Sequence, residues 1–313
     1  MIGFLCDIDL PNYKDSPEAY QYLHGRHSAT GYYYWMLKNH GLDVHMVSPS
    51  DDLTKFDTVV YHYDNKEVID FNAYKTIQVV TDRPCVEGTT LYIAANRGIL
   101  EPTKDLETIK RYGIENTLNT WVKDRSKWQF VHYPPTFNVK KCNPTFPPRR
   151  FKFVGRKHTM IPEMLDSQFI DICHSNGIDL IFDFENDNNV GDEDVYFCVR
   201  RANYLGKMTK LESNSGRGGH RTANRLYQAW YMNTPGIFNI SPEMAGLRES
   251  ELDFLIANDE SEFLDQAIRL TKDRELFYAM VDHCKTKAKD NPYCDIQIIV
   301  KQWQSALKYL HES

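Results

Sequence analysis

ATGYYYWMLKNHGLDVHMV, residues 29–47, reads as a helix that stops at a glycine and turns at once into a strand. Tyr33, Met36, Leu37 and His40 recur at the spacing of one helix face, and Gly41 suits the left-handed position that closes a helix. An apolar run, IGFLC (2–6), lies before the helix, and DVHMV (43–47) lies after it. Strand, helix and strand make a βαβ unit, which belongs to a parallel sheet. Outward from this unit, TVVYHY (58–63), TIQVV (76–80) and LYIAA (91–95) are further candidate strands.

Between residues 133 and 150 stand Pro134, Pro135, Pro144, Pro147 and Pro148. So many fixed φ angles and missing N–H groups exclude an interior strand or helix, so this stretch is the expected linker between domains 1–147 and 148–313. A second βα series follows: FKFVG (151–155), a helix over 162–175, IDLIF (178–182), DVYFCV (194–199), a helix over 222–232 and GIFNI (236–240). Helices are expected between 260 and 311. In the last of them Ile298, Ile299, Trp303, Leu307 and Leu310 share a face, so that helix should pack back on the fold. The expected class is α/β, with two Rossmann-like domains facing across a cleft at the carboxyl ends of their strands.

Composition narrows the function. A 42% hydrophobic and 26% charged chain of 313 residues is long enough to bury a core in each of two domains, which excludes general disorder. No apolar stretch approaches the roughly 20 residues that span a bilayer. MIGFLCDIDL lacks the basic and long apolar regions of a signal, and a cytoplasmic location is expected. Seven scattered cysteines without a C-x-x-C pair argue against a disulfide framework and a structural zinc site. A net charge of −6 disfavours a dedicated nucleic-acid binder, which needs clustered cations.

The strongest local signal is SNSGRGGHRTANRLYQAW (213–230), a glycine-rich loop bearing Arg217 and Arg221 that runs into a helix bearing Arg225. Free backbone N–H groups, a helix start and several guanidiniums together suit an anion, above all a diphosphate. Arg200 and Arg201 directly follow the apolar strand DVYFCV, so at least one guanidinium should project toward the same crevice.

The order of motifs from 193 to 273 resembles that of bacterial glycosyltransferases of the GT-B fold related to glycosyltransferase family 4. Those enzymes have a strand ending in Val-Arg, then K-P-x-x-[KR]-L-x-x-A-W, a small residue and proline before a strand, P-E-x-A and L-D-[YF]. This chain has EDVYFCVR (193–200), RTANRLYQAW (221–230), TPGIF (234–238) and SPEMAGLRESELDFL (241–255). The N-terminal half matches in outline, through GYYYWMLKNHGLDV and QVVTDRP. The C-terminal half departs at Thr222, where the family has proline, at Asn233, where it has glycine, at Arg221, where it has lysine, and in the insert SNSGRGG.

The resemblance implies a hexosyl- or pentosyltransferase that holds a nucleoside-diphosphate sugar, such as a UDP-sugar, in the C-terminal domain and takes a glycan or other hydroxyl acceptor from the N-terminal domain. Arg221 and Arg225 would lie on the donor diphosphate, with Arg200 and Arg217 nearby. Gln228 falls where broader family members place the ribose-binding glutamate, and Glu243 matches the P-E-x-A glutamate near the donor sugar or ribose.

Arginines neutralise a leaving diphosphate without a metal, so neither a metal nor another cofactor is expected. Asp7 and Asp9 form a D-x-D triplet, but it follows the first strand and faces the acceptor side. An inverting enzyme needs a base, for which His27, His62, Asp82 and Asp7 are candidates beside predicted strands. The aromatic run Tyr32 to Trp35 could stack on sugar rings, but helical spacing puts most of it in the core. Two other readings keep the fold: transfer onto a hydroxymethylated base in DNA, and a nucleotide- or glycan-binding module without turnover.

Overall fold

A computed structural model describes residues 1–6, 26–81, 85–95, 124–132, 140–155, 157–184, 193–199, 223–240, 242–290 and 295–312. Two parallel sheets organise them. The first contains β1 (Ile2–Leu5), β2 (Val44–Val47), β3 (Thr58–His62), β4 (Lys75–Val80), β5 (Leu91–Ala94) and β6 (Trp128–Phe130), in the order β2-β1-β3-β4-β5-β6. The helix α1 (Arg26–Asn39) joins β1 to β2. It ends as the glycine predicts: Gly41 has φ 79°, and the Leu42 N–H returns 3.1 Å to the Leu37 carbonyl.

The second sheet contains β7 (Arg150–Val154), β8 (Asp179–Asp183), β9 (Val195–Cys198), β10 (Gly236–Phe238) and β11 (Leu255–Ile256), in the order β11-β10-β9-β7-β8. Around it lie α2 (Ser167–Ser175), α3 (Asn224–Met232), α4 (Pro242–Leu247), α5 (Glu260–Lys272) and α6 (Arg274–Asp290). The architecture is the expected α/β class. In chain order β6, ending at Phe130, is the last strand of the first sheet, and β7, beginning at Arg150, is the first of the second.

Some elements differ from the sequence expectation. The strands β6 and β11 are three and two residues long, too short for alternation to reveal them. The helix expected over 162–175 is a 3₁₀ turn, Pro162–Leu165, followed by α2. Asp166 makes the break: its carboxylate accepts the Gln168 N–H at 2.7 Å and so caps a fresh helix start.

The last helix, α7 (Ile296–Glu312), returns to the first unit. Its buried Ile299, Trp303, Ala306 and Leu310 join the core that holds Phe4, Tyr33 and Leu37. The Trp303 ring meets Tyr33 edge-on at 5.0 Å and Phe4 at 5.5 Å. Beside it the Gln302 side-chain oxygen accepts both the His132 N–H at 3.0 Å and His132 Nδ1 at 2.8 Å, while the Tyr33 hydroxyl donates to the His132 carbonyl at 2.9 Å. The chain is thereby held where it leaves the first sheet. Among the described residues no helix is long and apolar enough to cross a membrane.

Candidate functional site

In the β9–α3–β10 unit, alternation along β9 divides its side chains between two faces. Phe197 turns to one face, where its ring packs 4.7 Å from Phe263 of α5 and 5.8 Å from Phe153 of β7. Tyr196 turns to the other, toward α3. Arg225 lies in the first turn of α3, and Gln228 follows three residues later on the same side.

The end of α3 explains one departure from the family pattern. Asn233 adopts the left-handed conformation, φ 62°, and the Thr234 N–H closes 3.0 Å onto the Ala229 carbonyl. Asparagine is the residue that best replaces glycine there, because its short polar side chain tolerates positive φ. Asn233→Ala is expected to cost about 1 kcal/mol, measurable as a shift of the urea midpoint, since an ordinary side chain pays roughly that in the left-handed region.

Tyr196, Arg225 and Gln228 form a closed triangle of hydrogen bonds. Arg225 Nη1 donates to the Tyr196 hydroxyl at 2.8 Å and to Gln228 Oε1 at 3.0 Å, and the Tyr196 hydroxyl donates to Gln228 Oε1 at 3.1 Å. Arg225 can only donate, so the atom facing it must be the amide oxygen. The Gln228 Nε2 group is consequently turned away, buried and without a hydrogen-bond partner. Gln228 is 6% exposed and Tyr196 fully buried, so this is an interior polar cluster.

Burial works against the charge on Arg225, but Tyr196, Cys198 and, from α1 of the first unit, Tyr32 more than offset it, and the guanidinium pKa is raised. Burial also pushes the Tyr196 phenol up, so the hydroxyl stays protonated and keeps its donor role. A fixed cation beside spare N–H groups is suited to an anionic ligand.

A second polar cluster shapes the segment after α4, the helix that carries Glu243 in its first turn. The buried Asp253 carboxylate accepts the N–H groups of Glu249 and Ser250 at 2.8 and 2.9 Å, and its other oxygen lies 2.8 Å from His283 Nε2 and 3.6 Å from Lys287 Nζ. The Asp253 carbonyl accepts from Trp230 Nε1 of α3 at 3.3 Å. The aspartate of the L-D-F motif thus ties the turn to both α3 and α6.

The other sequence candidates are placed as follows. Asp82, Arg200, Arg217 and Arg221 lie outside the described residues. His27 belongs to the first turn of α1. His62 closes β3 and is 2% exposed; its Nδ1 accepts the Asp64 N–H at 3.5 Å and its Nε2 lies 3.3 Å from Thr81 Oγ1. That engagement is a capping role. Cys6, at the end of β1, has its thiol pushed up to about 12 by burial, so it stays protonated and supplies no thiolate. Tyr32 to Trp35 are all buried in the first core, where helical spacing alone places most of them.

Sequence inspection missed Tyr196 as a member of the site. Its signal was a phenol in an otherwise apolar buried strand, since a buried tyrosine hydroxyl requires a partner. The partner itself, 29 residues away, had no local signature.

Two Rossmann-like units facing across a cleft, with the last helix returned to the first of them, define the GT-B fold. Solved structures similar to this chain include HepE of Anabaena in complex with UDP-glucose, with TM-score 0.56 and 10% identity, over 98% of this chain and 99% of that one. Another is AviGT4, a glycosyltransferase involved in avilamycin A biosynthesis, with TM-score 0.55 and 13% identity over 100% and 98% of the two chains. Sucrose-phosphate synthase of Thermosynechococcus elongatus has TM-score 0.55 and 8% identity over 100% and 99%. No protein-family model and no curated protein sequence matches the chain.

Proposed function

We propose that this protein is a glycosyltransferase that moves a sugar from a nucleoside diphosphate, in the first instance UDP, to an acceptor hydroxyl in the cleft. The observation that carries this reading is the Arg225 guanidinium, held by Tyr196 and Gln228 at the start of α3 in a GT-B fold. It is further supported by the UDP and UDP-glucose bound to HepE of the same fold.

In the proposed reaction the acceptor oxygen forms a bond to the anomeric carbon, and the bond from that carbon to the phosphate oxygen breaks. The electron pair leaves with the diphosphate, where Arg225, with Arg200, Arg217 and Arg221, neutralises the developing charge. Glu243 is assigned to the donor sugar or ribose. The hydroxyl proton passes to a base of the first unit in an inverting reaction, for which His27 and Asp82 are preferred over the capping His62, or to the leaving phosphate in a retaining one.

Because guanidinium groups supply the positive charge, turnover is expected to survive saturating EDTA; loss of activity that Mg²⁺ or Mn²⁺ restores would overturn metal independence. The activity itself is tested by incubating the protein with UDP-sugars and a panel of saccharide acceptors and hydroxymethylated duplex DNA, while following UDP release. Acceptor-dependent release supports the transferase and identifies the acceptor class. Failure of every nucleoside diphosphate and nucleotide sugar to raise the unfolding temperature would remove the donor site.

A further inference from the structure

We infer that Tyr196 is a positioning residue, which aims Arg225 at the ligand by occupying one end of its guanidinium. The inference rests on the proposed reading of Arg225 as a diphosphate-binding cation.

An arginine has five N–H donors in a rigid planar fork. The two hydrogens of Nη1 are both spent inside the protein, one on the Tyr196 hydroxyl at 2.8 Å and one on Gln228 Oε1 at 3.0 Å. The Nε and Nη2 groups form no hydrogen bond with a described residue. Since the fork is planar, holding Nη1 at two points fixes the orientation of the opposite edge, the one that grips a phosphate through two parallel N–H bonds.

Tyr196 is fit to act as the anchor. It sits in β9, an interior strand paired with β7 at Lys152 and β10 at Gly236, so its Cα is held from both sides. Its ring packs 5.9 Å from Phe238, and it is fully buried. Its single hydroxyl hydrogen goes to Gln228 Oε1, which leaves the lone pairs to accept from Arg225. Without Tyr196, Nη1 keeps one acceptor and the guanidinium can pivot about it.

The Gln228 Nε2 group, which the same arrangement turns away from Arg225, is a second polar group of the cluster that a ligand can satisfy. It is a buried amide donor with no partner. An unpaired buried donor costs about 1–3 kcal/mol, and a ligand acceptor removes that cost.

The test is a double-mutant cycle of Tyr196→Phe and Arg225→Ala, with UDP and uridine binding measured by calorimetry. Tyr196→Phe is expected to weaken UDP about five- to tenfold, less than the full worth of a hydrogen bond to a charged group because Gln228 still holds Nη1, and to leave uridine unchanged. In the Arg225→Ala background the same change should have no further effect on UDP, because the group it orients is gone. Equal losses for UDP and uridine, or additive losses in the cycle, would show that the ring acts through packing and would overturn the assignment.

Gln228→Met removes the other acceptor of Nη1 together with the Nε2 donor, so its loss on UDP should exceed its loss on uridine, and that excess should vanish in the Arg225→Ala background; it serves if Tyr196→Phe does not fold. A wild-type protein that fails to bind UDP, or an Arg225→Ala variant that binds it normally, would instead refute the diphosphate site itself.

Discussion

Arg225→Ala is expected to weaken UDP binding by about 1.5–3 kcal/mol, roughly ten- to a hundredfold, the range for charge-assisted hydrogen bonds. Calorimetric titration against UDP measures it, and unchanged affinity would remove the guanidinium from the diphosphate. The same variant leaves the Tyr196 hydroxyl and Gln228 oxygen with one donor fewer in a buried setting, so a fall in thermal stability should accompany the loss. Arg225→Lys separates charge from shape. A lysine keeps the positive charge but presents an ammonium in place of a planar fork, so it should recover only part of the affinity.

Replacing Asp253 with alanine is expected to cost about 3–5 kcal/mol, the penalty for removing one side of a buried charge cluster. Two backbone N–H groups, His283 and Lys287 lose their acceptor together. Chemical denaturation at pH 7 checks the magnitude; a loss below 1 kcal/mol would mean that water replaces the carboxylate. Burial pushes the Asp253 carboxyl up, but the bonds from His283, Ser250 and Glu249 and the Lys287 charge outweigh it, so its pKa lies below the usual carboxylate value. A depressed folded pKa means that the contribution is complete above the unfolded value of about 3.9 and disappears as pH falls through the folded one. The wild-type protein should therefore lose stability below about pH 4, and the alanine variant should show a shallower acid limb over the same range.

Much of the fold was legible along the chain because its signals are short-range. The β1–α1–β2 unit could be placed from the helical spacing of Tyr33, Met36 and Leu37 and from Gly41 alone. Gly41 and Asn233 both mark helix ends, since the left-handed conformation is a property of single residues. The strands β6 and β11 escaped because two or three residues carry too little alternation, and their pairing depends on neighbours far away in sequence.

The site divides in the same way. Arg225 was recognisable as an anion-binding candidate by its place in the turn after a glycine-rich loop. Gln228 was recognisable only by its position in a motif, and what its amide does was not. Its oxygen is committed to Arg225 and Tyr196, which leaves an N–H donor where a glutamate would present an acceptor.

Local sequence alone determined the alternation of strands and helices, the points where helices stop, and the parallel character of both sheets, because backbone geometry and side-chain period act over a few residues. Tertiary structure decided the return of α7 to the first core, the tie of Asp253 to α6, and the hold of Tyr196 on one end of the Arg225 guanidinium. Each of these depends on side chains brought together by packing across tens or hundreds of residues, where no period in the chain links one partner to the other.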